Sequence, residues 1–251
     1  MLRLPFEVIQ ELELNAWPDL LSVNRNGWRV RLAAGFTGRA NSLTATKRGA
    51  NLDARDLHEI EAIYTRHKLP TSIRITEFVA DDLEARLETH GYQAQNASEF
   101  RGMDVGPNQR IDESVTIAEQ SSADWIEAFG RLNGRADFTV EAMAAILDRL
   151  VLKTGFARLL QNGSIVATGM AVIDRKAMEI QSIAVDPAVR GRGLGGKIVT
   201  SLLAWGQLQG TETAILSVAA SNDPAIRLYS KLGFERIGGY HYRIKPRPAS
   251  V

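Results

Sequence analysis

The sequence contains no cysteine, which excludes a disulfide framework, a thiolate zinc or iron-sulfur centre and a cysteine nucleophile. Histidine is sparse: His58, His67, His90 and His241 are scattered without a ligand spacing, so no metal is expected. Net charge is almost absent as well. Thirty Lys and Arg against 29 Asp and Glu leave +1, and without a global field to attract a polyanion, any anion must be held locally and nucleic acid is not an expected partner. Long apolar runs are missing too. The most apolar stretch, Ile165 to Ile173, is interrupted by Thr168 and Gly169 and falls far short of the roughly 20 residues of a membrane helix. The opening MLRLPFEVIQELELNAW carries acids and a proline where a secretory signal needs a basic start and an apolar stretch. A cytoplasmic protein with no membrane association is the expectation. Its 251 residues, with 8 Pro and 21 Gly, suit one to two packed domains.

What is present falls into two patterned stretches separated by the turn-rich Gly106 to Ser114, the best candidate boundary. After it, Val115 to Gln120 reads as a strand, and Ala123 to Gly130 and Val140 to Leu152 read as helices, the second with Met143, Ile146, Leu147 and Leu150 on one face. Three strands are expected at Gly155 to Gln161, Ser164 to Asp174 and Ala177 to Val185. Asn162-Gly163 and Asp174-Arg175-Lys176 are hairpin-length links, which makes the three an antiparallel meander. A helix from Leu194 to Gln209, a strand from Ala214 to Ala220, a helix from Asp223 to Leu232 and two strands joined by Gly238-Gly239 complete the series. The order is that of an α+β fold with a mixed, mostly antiparallel twisted sheet flanked by helices. The first half repeats the second at an offset of 142 residues: Gly91-Tyr92 falls on Gly233-Phe234, Thr71 to Thr76 on Thr213 to Val218, and Asp53 to Lys68 on Gly195 to Gly210. Two tandem copies are the expectation from that correspondence, with chance similarity of two amphipathic helix–strand–helix stretches as the alternative.

Chemistry concentrates where the strand EIQSIAV ends and AVRGRGLGGK leads into a helix. Gly191, Gly193, Gly195 and Gly196 let the backbone turn and let an anion approach its amides. The first-turn N–H groups and the helix dipole favour phosphate, and Arg190, Arg192 and Lys197 add local charge. Gly191, Gly193 and Gly196 fit the dinucleotide pattern G-x-G-x-x-G, yet the next strand closes in Val218-Ala219-Ala220 rather than on an acid. Gly191 to Lys197 also fits the start of a phosphate loop, but Ile198 stands where Ser or Thr must ligate Mg²⁺.

The run Glu179 to Gly196 resembles the acetyl-CoA motif of the GNAT superfamily of N-acyltransferases, whose core is Gln/Arg-x-x-Gly-x-Gly/Ala, here Arg190-Gly191-Arg192-Gly193-Leu194-Gly195. The likeness continues through Asn222 and AIRLYSKLGF and covers residues 114 to 245. The first half, with GWRVRLAAGFTGRANSL, is similar to the degenerate N-terminal half of tandem members. Of the loop it keeps only Gly49, and Ala80 and Leu87 stand where the second half has Asn222 and Tyr229. The resemblance implies a domain of residues 1–106 without a cofactor loop and a catalytic domain of 114–251, as monomer or homodimer. It implies acetyl-CoA as cosubstrate, with backbone groups of Ile183, Ala184 and Val185 on the pantetheine arm, the loop from Arg190 to Gly196 on the diphosphate, and Asn222 and Tyr229 on the arm and thioester. Tyr229 would be the general acid and Glu179 a candidate base for direct attack by a primary amine. Glu179 is expected to share a strand face with Gln181 and Ile183. Other members carry a glutamate where this chain has Ser217. A non-catalytic acyl-CoA sensor is the alternative.

Overall fold

The computed structural model describes residues 4–107, 109–135 and 138–246. In chain order the elements are α1 (Phe6–Ala16), β1 (Leu21–Arg25), β2 (Trp28–Leu32), β3 (Leu43–Ala45), α2 (Ala54–Arg66), β4 (Thr71–Ile75), α3 (Leu83–Thr89) and β5 (Gln93–Asp104). They continue with β6 (Val115–Ala118), α4 (Ala123–Asn133), α5 (Val140–Leu147), β7 (Thr154–Gln161), β8 (Ser164–Asp174), β9 (Ala177–Val185), α6 (Leu194–Leu208), β10 (Thr213–Ala219), α7 (Asp223–Lys231) and β11 (Glu235–Lys245). The chain forms two compact units, one of Met1–Pro18, Phe100–Val218 and Asn222–Gly238, the other of Asp19–Glu99, Ala219–Ser221 and Gly239–Val251. The turn-rich stretch from Gly106 to Ser114 lies inside the first.

In that first unit, β6, β7, β8 and β9 pair antiparallel in sequence order, and β10 pairs parallel to β9. The expected meander is there, and its first turn has the geometry that the sequence asks for: Asn162 at φ 50° and Gly163 at φ 78° supply the two positive φ values of a type I′ hairpin. Because a parallel neighbour needs a crossover, α6 carries the chain from β9 to β10. Its Ile198, Leu202, Leu203 and Trp205 bury against Met178, Ile180, Ala214 and Leu216 of those strands. Ser122 and Thr139 cap α4 and α5 by accepting from Trp125 N and Ala142 N. Trp125 fills the opposite side, its indole N–H donating to Ala157 O at 2.8 Å.

The second unit repeats this plan. Its β1, β2 and β3 run antiparallel, β3 and β4 pair parallel across α2, and residues 241–245 of β11 close the order antiparallel to β4. The 142-residue offset holds to individual backbone bonds. Tyr92 N donates to Leu87 O and Phe234 N to Tyr229 O, both at 3.0 Å, after Gly91 at φ 83° and Gly233 at φ 95°.

Two expectations are corrected. The second helix stops at Leu147, because Arg149 N and Leu150 N bond three residues back to Ile146 O and Leu147 O, tightening the chain out of α-helix. Gly238-Gly239 makes no turn: neither has positive φ, and β11 is a single strand through both. A Cβ on Gly238 would stand 3.5 Å from Phe100.

Candidate active site

The parallel pairing of β9 with β10 runs through Ala177 with Thr213, Met178 with Ala214 and Glu179 with Ile215, where it ends. Beyond that rung the strands fork, so their inner backbone groups are open to a third extended chain. A bulge lies within the fork. Ser182 takes φ 56° and the β8–β9 register shifts between Thr168 and Met170, adding one residue to β9 and breaking its alternation. Met178 and Ile180 face α6. After the bulge Ile183 faces that side too, since a Cβ on Gly169 would strike Ile183, Ile198 and Leu202 together. The expected common face of Glu179, Gln181 and Ile183 is therefore corrected: the bulge transfers Ile183 to the other side.

From Val185 the chain passes through a short 3₁₀ turn, Pro187–Val189, held by Asp186 accepting from Ala188 N at 2.9 Å. Gly191 at φ 79° and Gly193 at φ 78° then swing the backbone into α6. No side chain caps this helix and its first turn holds no acid. The first-turn N–H groups therefore keep their hydrogen-bonding capacity at the positive end of a 15-residue dipole. At Gly195 a Cβ would make only ordinary contact, 3.4 Å from Leu228 and 3.6 Å from Val185, so the positive φ values at Gly191 and Gly193 are what demand glycine in this loop.

Loop and fork open into one cavity of about 570 Å³. Ile183, Ala184, Val185, Arg190, Gly191, Gly193, Leu194, Gly195, Gly196, Asn222 and Tyr229 line it. Arg192 and Glu179 do not. Glu179 is fully buried on the last paired rung. Arg190 Nε donates to Val185 O at 3.1 Å, pinning that guanidinium at the cavity mouth. Lys197 turns elsewhere, to Asp112 at 3.0 Å. The hydroxyl and amide of Ser114, and then Lys197, hold Asp112 down at about 2. Asn222 both lines the cavity and caps α7, its Oδ1 accepting from Ala225 N at 3.2 Å. Tyr229 is buried edge-on against Phe234, and burial pushes its phenol up to about 12.

Sequence reasoning missed Leu132 and Asn133 at the end of α4, which complete the lining with Pro224, Ala225 and Leu228. Leu132 lies on the apolar stripe of α4, and nothing in its pattern separates wall from core. It also missed α1. Gln181 Nε2 donates to Ala16 O at 2.6 Å, and the Ser217 hydroxyl donates to the Glu13 carboxylate. Arg135 and Glu141, whose sequence suits a solvated helical surface as well as an acceptor-facing one, are exposed outside this cavity, and Asp137 lies outside the described residues.

Residues 9–243 match the family described as "Probable histone acetyltransferase Rv0428c C-terminal". The chain belongs to this family. It is 27% identical over 244 residues to the uncharacterized N-acetyltransferase YobR of Bacillus subtilis, covering 94% of this chain and 97% of that one. The GCN5-related N-acetyltransferase from Kribbella flavida superposes with a TM-score of 0.69 at 20% identity, covering 97% and 96% of the two chains. A tandem GNAT protein from the clavulanic acid pathway superposes with a TM-score of 0.65 at 11% identity over 97% and 89%. This GNAT-family N-acetyltransferase has, among the described residues, no helix long and apolar enough to cross a membrane.

Proposed function

We propose that this chain transfers the acetyl group of acetyl-CoA to a primary amine at the fork of β9 and β10, and that residues 114–251 form the catalytic domain. The uncapped start of α6 carries this reading. Its glycine-lined amides face a cavity continuous with the opened strands, which suits a ligand with a diphosphate at one end and an amide-bearing arm at the other. Arg190 adds charge beside the diphosphate. The backbone of Ile183, Ala184 and Val185 pairs with the arm, and Asn222 supports it from across the cavity. An amide N–H of that strand meets the developing oxyanion. Tyr229, kept protonated by burial, gives its proton to the departing thiolate.

The corresponding helix in residues 1–106 explains why that domain is read as degenerate. At the start of α2, Asp53 Oδ1 accepts from Asp56 N at 2.7 Å and the Asp56 carboxylate accepts from Asp53 N. This capping box occupies two of the terminal amides, those of Asp53 and Asp56, and puts two carboxylates where a diphosphate would have to sit. A small amine, a peptide N-terminus and a lysine side chain all satisfy the chemistry, and the protein acts in the cytoplasm as monomer or homodimer.

The test is thiol release from acetyl-CoA against a panel of primary amines. Amine-dependent release supports the reading. Tight CoA binding with no release for any amine overturns it in favour of a non-catalytic acyl-CoA sensor. Glu179→Gln tests Glu179 as the base against any other acceptor-side group: a lost acid limb in the rate profile assigns the amine proton to Glu179 and excludes a different base, and an unchanged profile removes Glu179.

A further inference from the structure

Beyond the last rung at Glu179 and Ile215, the fork has a second face. On β10, Leu216 and Val218 pack toward α6, so Ser217 between them points the other way. On β9, Gln181 does the same relative to Met178 and Ile180. The last turn of α1 straddles the opening on this second face: Ala16 O accepts from Gln181 on one arm and Glu13 accepts from the Ser217 hydroxyl on the other. Glu13 is only 2% exposed, while Ser217 is half-buried. A polar hydroxyl thus borders the gap, backed by a carboxylate from an element far away in sequence.

We propose that Ser217 and Glu13 form the proton relay of the acceptor side; this rests on the acetyl-transfer reading above. The pantetheine arm fills the gap along β9 and Tyr229 serves the sulfur from the cavity side, which leaves the second face for the incoming amine. The neutral amine nitrogen bonds to the thioester carbonyl carbon, and the C–S bond then breaks with its electron pair on sulfur. Sulfur takes the Tyr229 proton. The nitrogen loses one proton to Ser217 Oγ as the hydroxyl proton of Ser217 passes to Glu13. Ser217 is the catalytic member of the pair, and Glu13 acts through it. The substrate class is narrowed to amines that reach the fork from the α1 side.

Kinetics against pH with the amine panel, alongside CoA titration calorimetry, test the relay in S217A, S217T and E13Q. General acid–base catalysis typically contributes at least about 100-fold. S217A and E13Q are therefore expected to lose about that much kcat and the acid limb of the profile, with CoA affinity and amine KM unchanged. S217T, which keeps the hydroxyl, recovers most of the rate. Unchanged kcat and profile in S217A overturn the relay while leaving acetyl transfer intact, and so does a parallel loss of CoA affinity and rate in E13Q. Absence of thiol release from the unaltered protein with every amine overturns the acetyl-transfer reading and the relay together.

Discussion

Tyr229 combines two properties that are rarely compatible at one position: it packs against Phe234 with 7% of its surface exposed, and it lines the cavity. The packing that buries the phenol also secures its proton, raising it from 10.0 to about 12. Ionisation of Tyr229 therefore takes no part in the rate profile near neutrality. Tyr229→Phe keeps the ring contact and removes the proton, so kcat is expected to fall by roughly 100-fold or more with CoA affinity retained in calorimetry. Stability gives a second reading of the same group. A raised value means that the folded state holds the proton more tightly, so the contribution is complete below pH 10 and is lost as pH climbs from there through about 12. Chemical denaturation across that window should show a smaller alkaline loss for Tyr229→Phe than for the unaltered protein. Asn222 caps α7 through its Oδ1 and also lines the cavity, so the side chain that the family motif singles out is held in place by the helix it starts. The position of Glu179 was legible as strand but not as fully buried, because burial depends on what covers the strand.

At the scale of elements, the meander, α6 and α7 follow from local signals: Asn-Gly at the first hairpin, a continuous apolar set on α6, and Asp-Pro after a capping Asn. The bulge at Ser182 has no such signal. It arises from β9 having to meet β8 on one side while parting from β10 on the other, a tertiary demand that a serine at φ 56° absorbs. For the same reason α1 was unreadable as part of the site, since its role depends on contacts between Glu13 and Ser217, 204 residues apart. The fork depends on close approach at Gly169, where a Cβ would collide with Ile183, Ile198 and Leu202. Gly169→Ala is expected to cost about 1–3 kcal/mol by overpacking, measured by denaturant unfolding, and to weaken CoA by displacing Ile183. Gly193→Ala separates strain from space. A Cβ there meets nothing within 4 Å, but the residue sits at φ 78°, so a cost of about 1 kcal/mol is expected from backbone strain alone.

For the whole molecule, the 142-residue offset joins sequence and structure most directly. It predicted which helix and strand of one half matches which of the other, and both halves carry the parallel strand pair crossed by a helix. The difference between the halves is chemical. One helix opens on glycines without a cap, and the other on Asp53 and Asp56 locked in a capping box. The near balance of 30 basic and 29 acidic side chains leaves such local arrangements to decide where an anion binds. Titration calorimetry with CoA, ATP and NAD tests the central claim most directly. The expected result is one CoA bound per chain, greatly weakened by Gly193→Val, with no comparable affinity for ATP or NAD. Binding of ATP or NAD without CoA would contradict it, as would two CoA molecules per chain.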